Sequence, residues 1–183
     1  MSQKKVGKDK GKKTSIILYT GSGQGKTLAA LGLALRALGH GYKVILVQFM
    51  KGRTFIGEYK IRGRLSPEFE LHQFGREDFV NLEKPEPVDF ELAKKGLAFA
   101  KEALNRKPYL LILDEINLAV AVGLIKIDEV LNLLENIPEE TTVVLVGRRA
   151  PPEFIDRADL VTFMVEVKHP FGKGIEARKG IEY

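Results

Sequence analysis

Seven residues near the start of the chain, Gly21-Ser22-Gly23-Gln24-Gly25-Lys26-Thr27, have the types and the order that hold a polyphosphate. Glycines let consecutive backbone N–H groups turn toward anionic oxygens, Lys26 reaches the outer phosphates, and the Thr27 hydroxyl can ligate Mg2+. This P-loop is one residue tighter than the common Gly-x4-Gly-Lys-Ser/Thr spacing. Thr20 stands five positions before Gly25, and the nearest usable glycine is Gly21. A shorter loop changes how many N–H groups face the phosphates, so the usual orientation of ATP does not follow from the motif.

A second cluster is Leu110-Leu111-Ile112-Leu113-Asp114-Glu115, in which a buried apolar run delivers two carboxylates to a strand end. Mg2+ in P-loop enzymes is held in this way, so Thr27, Asp114 and Glu115 are candidate metal ligands. In a hydrolase, Glu115 would orient an attacking water. Arg148, in Gly147-Arg148-Arg149, could stabilise a departing polyphosphate, and a solvated surface arginine is the competing reading. For Arg149 the surface reading is preferred. Arg36, ten residues beyond Lys26, reads as a surface or packing residue. His40, His72 and His169 show no ligand spacing, so no histidine metal site is expected. The Gly/Pro-rich exit Val167-Lys168-His169-Pro170-Phe171-Gly172-Lys173-Gly174-Ile175 could touch a substrate or simply end the domain.

Positioning these groups requires alternating strands and helices. Residues 15–20, 44–47 and 110–113 are short apolar runs that suit buried parallel strands, as does 143–146, with a last strand at 161–167. Residues 69–74 alternate like a half-exposed strand. A helix runs from Lys26 to Leu38, with a stripe of Leu28, Leu31, Leu35 and Leu38, and stops at Gly39-His40-Gly41. Pro87 and Asp89 open a helix with Phe90, Ala93, Leu97, Ala100 and Leu104 on one face. Asp128 opens a short helix with Val130, Leu131 and Leu134 inward. The long connection at 50–66 has no clear structure, and such connections are often functional.

The pattern predicts an α/β fold: a mostly parallel sheet of about six strands with helices on both faces, of the P-loop NTPase, RecA-like kind. Ligands in such sheets bind at the carboxyl ends of the strands, where both polar motifs fall. One domain over 14–183 is expected, preceded by a basic, disordered leader at 1–13.

The leader accounts for the charge. Of the net +5, all comes from residues 1–13, where six lysines face only Asp9; the other 170 residues carry 23 basic and 23 acidic side chains. A nucleic-acid partner for the body is therefore not expected. The 183 residues contain no cysteine, which excludes disulfides, thiolate metal sites and a cysteine nucleophile. Neither a secretory signal nor a run of 18 apolar residues is seen, so no membrane association and a cytoplasmic location are expected. From the residues alone, an ordinary ATPase or small-molecule kinase using Glu115, and a RecA-like nucleic-acid-binding ATPase, stay open beside other P-loop chemistry.

The chain resembles the ATP:corrinoid adenosyltransferases of the CobA/CobO/BtuR type. The resemblance rests on the tight loop at 20–27, Leu33-Ala-Leu-Arg-Ala-Leu-Gly-His-Gly41, Val47-Gln-Phe-Met-Lys-Gly52 and Ile112-Leu-Asp-Glu-Ile-Asn117. It extends to Val146-Gly-Arg148, Ala158-Asp-Leu160, Val167-Lys-His169 and Ala177-Arg-Lys-Gly-Ile-Glu-Tyr183. It implies that a Co(I) corrinoid (cobalamin, cobinamide or cobyrinic acid diamide) attacks C5' of ATP and that triphosphate leaves. It also implies that ATP lies reversed in the loop, which suits the missing position.

On this resemblance Gly21, Ser22, Gly23, Gln24, Gly25, Lys26 and Thr27 bind the triphosphate. Thr27 and Glu115 hold Mg2+ or Mn2+, Lys26, Glu115 and Arg148 serve catalysis, and Arg36 and Arg148 become nucleotide contacts. A homodimer and an electron-donor flavoprotein are implied as partners. Two departures stand out. Residues 1–13 lack the apolar stripe of the N-terminal helix that covers the corrinoid in some relatives. Where some relatives carry a Phe and a Trp after the third strand, this chain has Gly75-Arg-Glu-Asp-Phe-Val80 and no Trp, leaving Phe79 to serve.

Overall fold

A computed structural model describes residues 15–169, 174, 176–181 and 183. The expected leader, 1–13, and most of the exit segment 170–175 lie outside the described residues.

The chain forms β1 (Ile16–Thr20), α1 (Lys26–Leu38), β2 (Val44–Phe49), α2 (Gly57–Ile61), a 3-10 turn at Arg62–Arg64, β3 (Phe69–Phe74) and α3 (Pro87–Asn105). Next come β4 (Leu110–Asp114), α4 (Ile116–Ala121), α5 (Ile127–Glu135), β5 (Thr142–Val146), α6 (Pro152–Arg157) and β6 (Leu160–Phe163). The six strands make one sheet in the order β3-β2-β4-β5-β1-β6, and every pairing is parallel. The phosphate-loop strand β1 and the carboxylate strand β4 are not neighbours, because β5 lies between them. A parallel sheet aligns all carboxyl ends on one edge. The residues after β1, β2, β4, β5 and β6 therefore converge there without further design.

Strand alternation divides the core in two. On one face Ile45, Val47, Leu111, Leu113, Val143 and Leu145 pack against α3, α4, α5 and α6. On the other, Val44, Leu46, Leu110, Ile112, Val144 and Val146 pack against the alanines of α1, Ala30, Ala34 and Ala37. The leucine stripe of α1 is therefore not its sheet-facing surface. Its sheet-facing surface is alanine, which lets the helix sit close to the strands, while Leu28 and Leu35 point away and are 56% and 67% exposed.

Smaller differences have local causes. Phe90 of α3 is exposed, and Gly96 and Ala103 join the buried face instead. Gly96 faces Phe49 and Phe74 so closely that a Cβ would stand 2.8 Å from the Phe49 ring. In α5, Leu133 is buried with Val130 and Leu134, and Leu131 is only partly covered. The last strand ends at Phe163 rather than Val167, because the chain leaves the sheet to cross the phosphate loop. The short helices α2, α4 and α6 carry too few residues to show a period in the sequence.

Candidate active site

The loop Gly21–Thr27 joins β1 to the N-terminus of α1, as the motif requires. Gly21 and Gly25 have φ of 104° and 107°, a left-handed geometry that glycine adopts without strain. The exit from β6 lies directly on the loop. A Cβ on Gly21 would stand 2.3 Å from the Met164 carbonyl oxygen, and one on Gly23 2.8 Å from the Val165 carbonyl carbon. The Gly23 N–H donates to the Met164 carbonyl at 2.8 Å. One N–H of this short loop is thus committed to the protein itself, which reduces the cradle further. Ser22 and Gln24 are exposed on it.

Lys26 is 7% exposed, and its ammonium donates to the Gly23 carbonyl at 2.5 Å. Burial, with the Arg148 guanidinium close by, pushes this lysine below its ordinary value. A triphosphate in the loop would supply the negative charge that the position lacks.

Thr27 and Asp114 come together although 87 residues separate them: the Thr27 hydroxyl donates to Asp114 Oδ1 at 3.0 Å. Asp114 is fully buried. Its Oδ2 accepts from Gln48 Nε2 at 3.1 Å and from Lys51 Nζ at 2.6 Å, and Gln73 Nε2 donates to Gln48 Oε1 at 2.9 Å. Burial alone would lower Lys51, but Asp114 and Glu115 outweigh it and hold the ammonium above its ordinary value.

Glu115 has left-handed backbone, φ 62°, which turns the chain sharply from β4 into α4. Burial, then the neighbouring Asp114, raises its carboxyl above the usual glutamate value. Glu115 Oε2 is buried with no hydrogen-bond partner, and Gly147 leaves room for it, since a Cβ there would stand 3.2 Å away. An orphaned buried carboxylate oxygen beside a hydroxyl–carboxylate pair fits a divalent cation. Among the described residues no group of three or more His, Asp or Glu side chains surrounds a possible ion. Thr27, Asp114 and Glu115 suit Mg2+, which keeps waters and phosphate oxygens in its shell.

Arg148 is exposed yet close enough to Lys26 and Glu115 to shift both. Arg36 is not brought to this cluster. It is exposed in the last turn of α1, about 15 Å along the axis from Lys26 at ~1.5 Å per residue.

Sequence reasoning assigned no role to Gln48, Lys51, Gln73 or Asn117. A polar Gln48 inside an otherwise apolar strand was the signal available for the first. Asn117 Nδ2 donates to the Gly147 carbonyl at 2.9 Å and to the Tyr19 carbonyl at 3.3 Å, tying the ends of β5 and β1 together beside Glu115.

An apolar cavity of about 510 Å³ adjoins the phosphate site, and Thr27 and Lys51 belong to both. Its α1 wall is the leucine stripe, Leu28, Leu31, Leu35 and Leu38. Its opposite wall is the long connection after β2, with Ile56 and Ile61. At the mouth the Arg53 guanidinium lies 3.9 Å from the centre of the exposed Phe79 ring, and Phe55 meets Tyr183 edge-to-face at 5.8 Å. Arg76 pairs with Asp89 at 2.9 Å and so anchors the segment carrying Phe79 to the start of α3.

Residues 12–183 match the model of the family ATP:corrinoid adenosyltransferase BtuR/CobO/CobP. The chain belongs to that family. The corrinoid adenosyltransferase of Pseudomonas aeruginosa is 36% identical over 98% of this chain and 88% of its own length. That of Sinorhizobium sp. is 36% identical over 100% and 89%, and the corrinoid adenosyltransferase CobA of Salmonella typhimurium is 34% identical over 92% and 85%. In fold alone the chain is also similar to the flagellar accessory protein FlaH from Methanocaldococcus jannaschii. The TM-score is 0.53 and the identity 16%, over 82% of this chain and 70% of that one. The likeness is one of overall fold, shared with a protein of another description.

Proposed function

We infer that the chain transfers the 5'-deoxyadenosyl group of ATP to the Co(I) of a reduced corrinoid and releases inorganic triphosphate. The observation that carries this reading is the shared wall: Thr27 and Lys51 border both the phosphate site and the large apolar cavity. A nucleophile that attacks carbon must approach C5' from the side opposite the leaving oxygen. The cobalt lone pair forms the Co–C bond, the C5'–O bond breaks, and its electron pair leaves with triphosphate, so cobalt ends as Co(III). An apolar chamber meeting the polyphosphate cradle at its inner end gives that arrangement a place. The corrinoid edge enters the cavity from the mouth, against Phe79 and the α1 leucines, while ATP lies with C5' toward it and its outer phosphates in the loop.

The side chains have distinct duties. Gly21 to Gly25 present backbone N–H groups to the triphosphate, and Lys26 and Arg148 neutralise charge that grows as it departs. Thr27, Asp114 and Glu115 hold Mg2+ or Mn2+, which supplies further positive charge to the triphosphate when bound. No water needs activation, because the attacking group is the reduced cobalt.

The family's own chemistry extends to ATP and a corrinoid as co-substrates. A homodimer, a flavoprotein electron donor and a cytoplasmic setting are proposed with it. Among the described residues no helix is long and apolar enough to cross a membrane. Incubation with ATP, Mg2+ and chemically reduced cobalamin should yield a light-sensitive adenosylated product and triphosphate. Orthophosphate as the only phosphorus product would sink the reading.

A further inference from the structure

Lys51 stands where a metal ion would be expected to stand. Its ammonium is 2.6 Å from Asp114 Oδ2 and 3.4 Å from Thr27 Oγ1, the two groups that also bind one another at 3.0 Å. Thr27 meets Asp114 at Oδ1 and the ammonium meets it at Oδ2, so a divalent ion held at ~2.1 Å from the same hydroxyl and carboxylate would stand close beside that ammonium, and the two cations repel. The fully buried Asp114 therefore already has a counter-cation.

The fold makes an effort to put it there. Met50, just before it, has φ 55°, a costly conformation for a non-glycine residue, and its N–H is tied to the Phe74 carbonyl at 3.0 Å. Gly75 crosses so close that a Cβ on it would stand 2.2 Å from Lys51 N, and a Cβ on Gly52 would stand 2.3 Å from the Gly75 carbonyl. The turn Met50–Gly52 is locked against the end of β3, and its product is the aim of the Lys51 side chain. That side chain remains 28% exposed and borders the apolar cavity, so its flexible stem can carry the ammonium away without disturbing the turn.

We propose that Lys51 is a resident cation of the metal site, exchanged for the divalent ion when metal and triphosphate arrive, and then a contact to the triphosphate on the cavity side. This rests on the adenosyltransfer reading only for what the triphosphate becomes. Exchange has a consequence: metal alone must displace the ammonium from the buried Asp114 carboxylate. Metal with triphosphate gives that ammonium a new partner. The two ligands therefore bind synergistically, and Lys51 is the coupling.

The test uses the full chain with Mn2+ alone, followed by electron paramagnetic resonance of the free ion, and with inorganic triphosphate plus Mg2+, followed by calorimetry. Lys51→Met keeps the stem and removes the charge. It should bind Mn2+ on the order of tenfold more tightly than the parent and triphosphate more weakly, with the synergy between them lost. Lys51→Arg, which keeps the charge, should keep the weak Mn2+ binding. If Lys51→Met does not fold without metal, because Asp114 has lost its counter-ion, Mn2+ must restore its cooperative melting transition. Unchanged or weaker Mn2+ binding in a folded Lys51→Met, or a variant that stays unfolded with Mn2+, overturns the exchange. Neither arm contains a corrinoid, so failure here leaves adenosyl transfer standing, and failure of adenosyl transfer leaves the Mn2+ result intact.

Discussion

The two faces of the sheet are filled differently. Opposite α3, α4, α5 and α6 the strands meet a dense layer in which Leu97, Ile116, Val130, Leu133 and Phe154 are all buried. Opposite α1 the fully buried contact is alanine, Leu31, Leu33 and Leu38 are only partly covered against it, and Leu28 and Leu35 are exposed along a cavity. A helix that spends its small residues on the sheet and keeps its large ones off it has apolar surface in reserve. Both faces hold a core, and the α1 face alone also borders the apolar cavity in which the proposed function seats the corrinoid.

The sharpest test of this contrast is a pair of truncations. Leu111→Ala, on the closed face, should cost about 2–5 kcal/mol of unfolding free energy, whereas Leu35→Ala should stay within about 0.5 kcal/mol. Equal urea midpoint shifts in the two variants would break the distinction. Next in size, Lys26→Ala should lower turnover by about 10²–10³-fold in single-turnover assays, with folding intact. Near-normal turnover would remove the phosphate loop from the reaction.

A smaller effect probes the open face as a binding surface. Leu35→Ser should raise the KM for the corrinoid about fivefold, the worth of roughly 1 kcal/mol of apolar contact, and leave the KM for ATP unchanged. A rise in both would place the cavity with the nucleotide instead. The smallest concerns Glu115, whose proton is held more tightly in the folded chain than in the unfolded one. In metal-free buffer this residue's stabilising contribution is present below the ordinary value of 4.5 and is lost as pH rises through the raised folded value. Glu115→Gln should flatten that part of the pH dependence, measured as urea midpoints in EDTA at pH 5 and pH 8. Parallel profiles for parent and variant would exclude it.

The closed face was legible in the sequence because burial on both sides of a parallel strand leaves an uninterrupted apolar run, as at Leu110–Leu113. The phosphate loop and the Asp114-Glu115 pair were legible because their chemistry constrains neighbouring residues in order. The open face was legible at α1 only as a stripe, for a physical reason. A helical period finds a stripe of large apolar residues and does not say whether protein or ligand will cover it. Gln48, Lys51, Gln73 and Asn117 belong to the site through contacts between strands that are distant in sequence. No local spacing encodes Lys51 against Asp114, because β2 and β4 become neighbours only through the sheet order.

That order also sets a timetable. Among the described strands β1 is made first, yet its neighbours in the sheet are β5 and β6, the last two of them. The Ile16 N–H finds its acceptor on Asp159, 143 residues away. Until the final strands are made, the apolar Ile16 and Leu18 have no sheet to enter, and the Met164 carbonyl that receives the Gly23 N–H has not been synthesised. A nascent chain thus carries its nucleotide loop through the synthesis of β2 to β6 before that loop acquires its final shape. Folding of this domain should be slow to commit and dependent on protection of its first strand.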